Sequence, residues 1–151
     1  MQVKHFEDLE IWKDARHLTK EIYCLTAESK FAKDFGLRGQ IRNAAISIMS
    51  NIAEGFERAG NQEFAQFLYV AKGSCGEVRS QLCVAVDQGY IPANESEGLL
   101  NSFKRLSSMI GSLINYLKRS GMKGAKYNSP KPSTSNGSIP TEARAHLEPA
   151  S

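Results

Sequence analysis

The sequence contains no apolar run close to the roughly 20 residues that a membrane-spanning helix needs, because charged residues interrupt every apolar stretch. Residues 1–10 also lack the charged, apolar and small-residue regions of a secretory signal. We therefore expect a cytoplasmic protein that has no membrane segment.

Cysteine and histidine are too few and too dispersed for a metal or redox centre. The cysteines form no Cys-x-x-Cys pair, and no cluster of histidines lies near them. They are Cys24, Cys75 and Cys83, and the histidines are His5, His17 and His146. The pattern predicts reduced thiols, and neither a metal site nor a cofactor.

Catalytic constellations are missing as well. No Glu-x-x-His occurs, although di-iron helical bundles use that spacing, and a Ser/His/Asp triad lacks its parts. The Lys-Ser/Thr of a phosphate-binding loop does not follow Gly73 or Gly76. We expect a protein that is not an enzyme.

Apolar residues recur at alternating steps of four and three residues in four segments, which is the spacing of helices packed together. No segment alternates with period two for long enough to form a strand. The pattern predicts four amphipathic helices around residues 11–25, 37–56, 64–85 and 99–117.

Residues at the segment ends favour the same division. Asp34 and Asn61 are suited to cap the second and third helices, and Gly60 and Gly89 to end them in a left-handed conformation. Short connections make consecutive helices antiparallel neighbours. The sequence therefore predicts an all-α, up-down-up-down four-helix bundle over residues 1–119.

Residues 120–151 have a different composition, with four of the five prolines among Ser, Thr, Gly and Asn. Such a segment buries too little apolar surface to offset the entropy of ordering it. We expect a disordered tail. Residues 141–147 favour a plain linker, with a brief helix or a partner-docking motif as the alternatives.

An unusual helix interior occupies residues 47–56, because Asn, Ser and Gly all lower helix propensity. Close helix packing at Gly55, Gly73 and Gly76 is the favoured explanation, and ligand binding is the alternative. Glu54 and Glu77 are predicted to form a buried or interfacial ion-pair network with the arginines of the same helices, Arg42 and Arg79.

Over about residues 5–119 the sequence resembles the four-helix-bundle proteins encoded by intervening sequences of bacterial large-subunit (23S) ribosomal RNA genes. The run from Asn51 to Gly55 is the most specific part of this resemblance. Other matching residues include Phe6, Leu9, Trp12, Phe35, Gly36, Leu37, Gln40, Ile41, Arg42, Ser47, Phe64, Phe67, Leu68, Ala71, Gly73, Ser74, Glu77, Gly89, Tyr90 and Ile91.

The resemblance implies a homo-oligomer, a ring of five bundles. The implied oligomer is similar to the accessory variability determinant of diversity-generating retroelements, a protein that binds nucleic acid and a reverse transcriptase. The motif residues that it singles out are Ser47, Asn51, Glu54, Gly55, Gly73 and Glu77.

Charge is unevenly distributed, although the total is only +3. No acidic residue occurs between Glu97 and Glu142, whereas seven cations do, and one end of the molecule is predicted to be basic. The predicted contacts with RNA or DNA phosphates are Lys104, Arg105, Lys118, Arg119, Lys123 and Lys126. Two alternative explanations are that cations near a helix C-terminus offset the negative end of the helix dipole, and that lysines in the tail keep the chain soluble.

Two functions remain open from the sequence. One is an oligomeric adaptor for nucleic acid or for a nucleic-acid enzyme. The other is a purely structural module that assembles with a protein partner.

Overall fold

The structure, a computed structural model, describes residues 3–126 and the side chains of residues 3–120. A single 3-10 turn, Phe6–Asp8, precedes the helices. The helices are α1 (Glu10–Thr26), α2 (Ser29–Lys33), α3 (Phe35–Glu57), α4 (Asn61–Asp87) and α5 (Ala93–Lys126). Residues 3–126 contain no strand, so the predicted all-α fold is confirmed.

The four long helices form the predicted up-down-up-down bundle. Helix α3 packs along α1 on one side and along α4 on the other, α4 packs along α5, and α1 closes the bundle against α5. Seams α1/α3 and α4/α5 therefore lie on opposite sides. The short α2 is an addition that the periodicity did not predict, and it buries Phe31 beneath the α1–α3 connection.

The predicted stripes supply the core, because residues three or four positions apart lie on the same face of a helix and that face points inward. Ile11, Ile48, Leu68 and Phe103 represent the four helices and are all 0% exposed. Burial of such side chains contributes roughly 1.5–3 kcal/mol each.

Both predicted caps at one end of the bundle are confirmed. The Asp34 carboxylate accepts from the Leu37 backbone N–H at 3.0 Å and from the Tyr90 hydroxyl at 2.9 Å. This second bond raises the pKa of Tyr90, because the phenol must keep its proton to donate. Gly89 has φ +76°, and the Tyr90 N–H then reaches the Ala85 carbonyl at 2.9 Å. Ile91 returns to the core.

The connection between α3 and α4 differs from the prediction. Gly60 has φ −124°, which is extended rather than left-handed, and Asn61 is the first residue of α4 rather than its cap. Helix α3 ends earlier, at Glu57, and Arg58 is already extended. An extended three-residue link therefore replaces the expected glycine-terminated helix end.

Helix α5 continues to Lys126, which is past the predicted bundle boundary at residue 119. The backbone of residues 120–126 is therefore helical and not part of an irregular tail. No proline lies between Pro92, which precedes α5, and Pro130, and a glycine lowers helix propensity by only about 1 kcal/mol. Residues 127–151, including the segment 141–147, lie outside the described residues, so the predicted tail stays a prediction there.

Candidate functional site

Four of the predicted nucleic-acid contacts lie exposed on α5, as two neighbouring pairs. Lys104 and Arg105 are separated from Lys118 and Arg119 by 14 residues, about 21 Å along the helix axis at 1.5 Å per residue. The cations are thus spread along α5 and not gathered at one end. Lys123 and Lys126 also belong to α5, but their side chains lie outside the described part.

These cations have no acidic partners within the described residues. The acidic side chains that have a basic partner there are Glu21, 3.4 Å from the His17 imidazole, and Glu54, 3.1 Å from the Arg58 guanidinium. The Lys118 ammonium instead donates to the Tyr69 hydroxyl of α4 at 2.7 Å and lies 5.2 Å from the centre of its ring. Because the hydroxyl and the ring of Tyr69 are both neutral, these contacts do not compensate the positive charge of Lys118.

Helix α4 adds two cations, Lys72 and Arg79, that were not among the predicted nucleic-acid contacts. Lys72 donates to the Ser107 hydroxyl of α5 at 3.2 Å, and its side chain passes over Gly111. Arg79 lies seven residues further along α4, on the same side of that helix. Both cations act on Cys75, where they oppose a rise in the pKa of its thiol.

We refer to Tyr69, Lys72, Arg79, Lys104 and Lys118 as the α4/α5 seam; Lys104 belongs to it because it lies two turns before Gly111, on the same side of α5. A signal for it existed in the sequence, because Lys72 and Arg79 flank the stripe positions Ala71 and Val78. Which helix they would face was not deducible from one helix alone.

The thiol beneath this seam is chemically quiet. Cys75 is 0% exposed, and burial raises the pKa of its thiol from 9.0 to about 12 despite the opposing charges of Lys72 and Arg79. A thiol with this pKa carries almost no thiolate near neutral pH and is a poor nucleophile. Its role is to pack.

The family motif divides into a packing part and an exposed part. Ser47 of α3 lies 2.9 Å from Ser74 of α4, hydroxyl to hydroxyl, across the α3/α4 contact. Asn51 donates to the Ser47 carbonyl at 2.8 Å and to its hydroxyl at 3.1 Å. These hydrogen bonds link the three polar side chains where the two helices meet.

Close packing explains Gly55 but neither of the other glycines. A Cβ at Gly55 would lie 2.7 Å from the Phe67 Cβ and 2.9 Å from the Phe64 ring, distances that real Cβ atoms do not show. At Gly73 and Gly76 nothing lies within 4 Å of an added Cβ, and both residues are exposed. The packing prediction was therefore right at Gly55 and wrong, within this chain, at Gly73 and Gly76.

The predicted ion-pair network is absent from residues 3–120. Glu54 pairs with Arg58 one turn along α3, and both side chains are half exposed. Arg42 instead donates to the Thr26 hydroxyl at 2.7 Å and lies 4.3 Å from the centre of the Tyr23 ring. Glu77 is exposed, with no ion pair among the described side chains. The outward direction of both glutamates explains the difference.

A cleft of about 420 Å³ opens between α1 and the start of α5. Its polar lining includes His17, Glu21, Cys24 and Glu95. Nowhere in the described part of the chain do three or more His, Cys, Asp or Glu side chains form a group able to hold a metal ion. The predicted absence of a metal site, a cofactor and an enzymatic activity stays a prediction.

No helix among the described residues is both long and apolar enough to cross a membrane.

The fold and the charge distribution define a class: a four-helix bundle with a basic outer face on its last helix. The sequence profile of the 23S rRNA-intervening sequence protein family matches residues 7–112, which is well over half of the chain. The chain therefore belongs to the 23S rRNA-intervening sequence protein family.

A solved structure supports the fold. It is a protein of unknown function from the S23 ribosomal protein family of Bacteroides thetaiotaomicron, with a TM-score of 0.63 and 20% sequence identity. The match covers 69% of this chain and 97% of the other. No curated protein matches the chain. The similarity to the retroelement accessory determinant stays a prediction.

Proposed function

We propose that the chain is a non-enzymatic, homo-oligomeric adaptor, a pentamer, that binds nucleic acid through the basic face of α5. The observation that carries this proposal is a set of four exposed cations, Lys104, Arg105, Lys118 and Arg119, none of which pairs with a carboxylate among the described residues. Unpaired cations along a helix attract phosphates without reading the bases.

The charge of the chain is divided between two parts. Residues 1–97 carry eleven Lys and Arg against fourteen Asp and Glu, a net charge of −3. Residues 98–126 carry six Lys and Arg and no carboxylate. A polyanion is therefore attracted to α5 and repelled by much of the remaining surface, which orients the bound strand.

Exposed apolar residues on α4 support self-association. Val70 is 52% exposed and Val84 43% exposed, and the exposed Gly73 lies between them on the same side of the helix. An exposed glycine inside a helix costs about 1 kcal/mol relative to Ala. A second copy that approaches closely at Gly73 would offset this cost, and a ring of copies would multiply the basic surface.

The protein partner of this adaptor is proposed as a class of protein. The resemblance to the retroelement accessory determinant favours a reverse transcriptase or another nucleic-acid-processing protein. Such an enzyme would meet the adaptor while both hold the same strand.

A purely structural assembly module without nucleic-acid binding is the second candidate. The packing half of the family motif favours it, because Ser47, Asn51 and Gly55 make contacts within the bundle.

Retention on immobilised RNA and DNA at low salt separates the two functions. Replacing Lys104, Arg105, Lys118 and Arg119 with Gln should abolish most retention. A matched control replaces four exposed lysines elsewhere, Lys4, Lys20, Lys30 and Lys33, with Gln and should retain the nucleic acid. If the wild type is not retained, or if both variants behave alike, the structural module is the better account.

Light scattering of the same samples tests the assembly. The adaptor predicts a multiple of the 16.7 kDa chain mass, with five copies expected. A monodisperse monomer at micromolar concentration would contradict the proposed ring of five copies.

A further inference from the structure

We propose that the α4/α5 seam binds a single strand of nucleic acid and stacks one of its bases on Tyr69. This inference rests on the proposed function and adds to it the form of nucleic acid and an aromatic contact. The ligand is a phosphodiester chain with unpaired bases, whether RNA or DNA.

Tyr69 has the features of a stacking platform. Its side chain is 47% exposed on α4, although a tyrosine that only packs usually has its ring covered. The ring lies beside a cation, with the Lys118 ammonium 2.7 Å from its hydroxyl. A base on the ring would therefore have a phosphate-binding group next to it.

Cations line both sides of the seam. Lys72 and Arg79 come from α4, and Lys104 and Lys118 from α5. Lys104 and Lys118 span about 21 Å along α5, which corresponds to about six phosphates at the 3.4 Å spacing of a stacked strand. The hydroxyl partners of Lys72 and Lys118, Ser107 and Tyr69, are neutral, so both ammonium groups can exchange them for phosphate oxygens at little electrostatic cost.

A single strand fits this surface better than a duplex. The bases of a duplex are stacked inside it, and a protein reads them by inserting a helix, a ribbon or an arm into a groove. Lys72 and Tyr69 instead lie along the contact of two long helices, with no projecting element of the described chain beside them. An unpaired base can reach the flat ring, and every base has a face to offer.

Tyr23 supplies a matched comparison on the opposite seam. It is 40% exposed, and the Arg42 guanidinium lies 4.3 Å from its ring centre. This arginine is held by the Thr26 hydroxyl at 2.7 Å and the Tyr23 carbonyl at 3.4 Å. The cation at Tyr23 is fixed by these structural contacts, whereas the contacts of Lys118 among the described side chains are with Tyr69.

The experiment compares two ligands that carry the same phosphates, an oligothymidylate of about 12 nucleotides and an abasic chain of equal length. Their affinities are measured by fluorescence anisotropy for the wild type, Tyr69→Leu, Tyr69→Phe and the control Tyr23→Leu. Tyr69→Leu should weaken oligothymidylate binding at least about fivefold and leave abasic binding unchanged. Tyr69→Phe keeps the ring and should keep the preference for bases, and Tyr23→Leu should match the wild type.

Equal loss on both ligands, or no loss on either, would overturn the stacking contact while leaving the proposed function intact. A wild type that binds neither ligand would overturn both. Oligouridylate should behave like oligothymidylate, because a stacked ring does not read the 2′-hydroxyl, whereas a duplex that binds as tightly as the single strand would contradict the proposal. Unchanged circular dichroism and oligomer mass of Tyr69→Leu would show that the variant is folded and assembled.

Discussion

The two sides of α4 perform different work. Towards α3 it presents Phe64, Phe67 and the buried Ser74, which fit against Gly55 and Ser47 with no spare space. Towards α5 it presents exposed Lys72 and Tyr69, whose polar partners are the neutral side chain Ser107 and the cation Lys118. One helix therefore has a side fixed by packing and a side with exposed, uncompensated charge.

This difference separates stability from binding. Contacts on the α3 side fix how the two helices pack, because Ser74 is 3% exposed and a Cβ at Gly55 would clash with Phe64 and Phe67. On the α5 side, the Lys118–Tyr69 contact is exposed, where such contacts contribute little to stability, and the Lys72–Ser107 hydrogen bond is part-buried. Substitutions on the α3 side should change folding, and substitutions on the α5 side should change affinity.

The largest effect is expected at Gly55. A leucine there would meet the Phe67 Cβ and the Phe64 ring, and overpacking of this kind costs about 1–3 kcal/mol or more. The Gly55→Leu variant should either fail to fold or have a much lower melting temperature, as measured by circular dichroism. Gly39→Leu on the same helix is the control, because nothing lies within 4 Å of a Cβ at Gly39. Equal melting temperatures for both variants would show that α3 and α4 are not tightly fitted.

The α5 side is tested by replacing Lys72 and Arg79 with Gln. Two lost phosphate contacts should weaken single-strand binding roughly tenfold or more at 0.1 M salt, because each contact releases a counterion. The melting temperature should change little. Arg16 and Lys20, which are exposed on α1, provide the control when both are replaced with Gln. A large loss of stability with unchanged affinity would show that Lys72 and Arg79 stabilise the fold and do not bind nucleic acid.

A smaller effect is expected at Ser74, which is 3% exposed and bonded to Ser47. Ser74→Ala removes one interhelical hydrogen bond, and the free energy of unfolding should fall by about 1 kcal/mol in urea titration. Affinity for nucleic acid should not change. A change in affinity at constant stability would mean that the α3 side contributes to binding.

The smallest effect is expected at Gly73. Ala in place of an exposed helical Gly should raise the free energy of unfolding of the chain by about 0.5–1 kcal/mol, since nothing obstructs its Cβ. If a second copy approaches there, the same variant should weaken the oligomer, and light scattering with urea titration would record both changes. Lower stability together with an unaltered oligomer would contradict the exposed position of Gly73.

The bundle was predictable because each long helix repeats its apolar stripe several times, so that the stripe alone identifies its buried face. Helix α2 was missed because five residues are too few to show a helical period. Gly60 was misassigned because a glycine after a helix fits both a left-handed turn and an extended link. Its actual φ depends on where α3 ends, at Glu57.

The candidate site was predictable on α5 only. A run without carboxylates is visible in sequence, and it gave Lys104, Arg105, Lys118 and Arg119. The contribution of α4 depends on which helix Lys72 and Tyr69 face, and only the fold supplies that information. The stripe did contain a sign against packing at Gly73, which is two residues from both Ala71 and Cys75 and so points away from the buried face.

The central claim, that the cations of α5 bind phosphates, is tested most directly by the salt dependence of affinity. The logarithm of the association constant for oligothymidylate should fall linearly with the logarithm of salt concentration, with a slope of about −0.7 per contact. Replacing Lys104, Arg105, Lys118 and Arg119 with Gln should make this slope shallower by about 2–3, whereas the Lys4, Lys20, Lys30 and Lys33 control should keep the wild-type slope. A wild-type slope near zero, or one that is equal in both variants, would contradict the account.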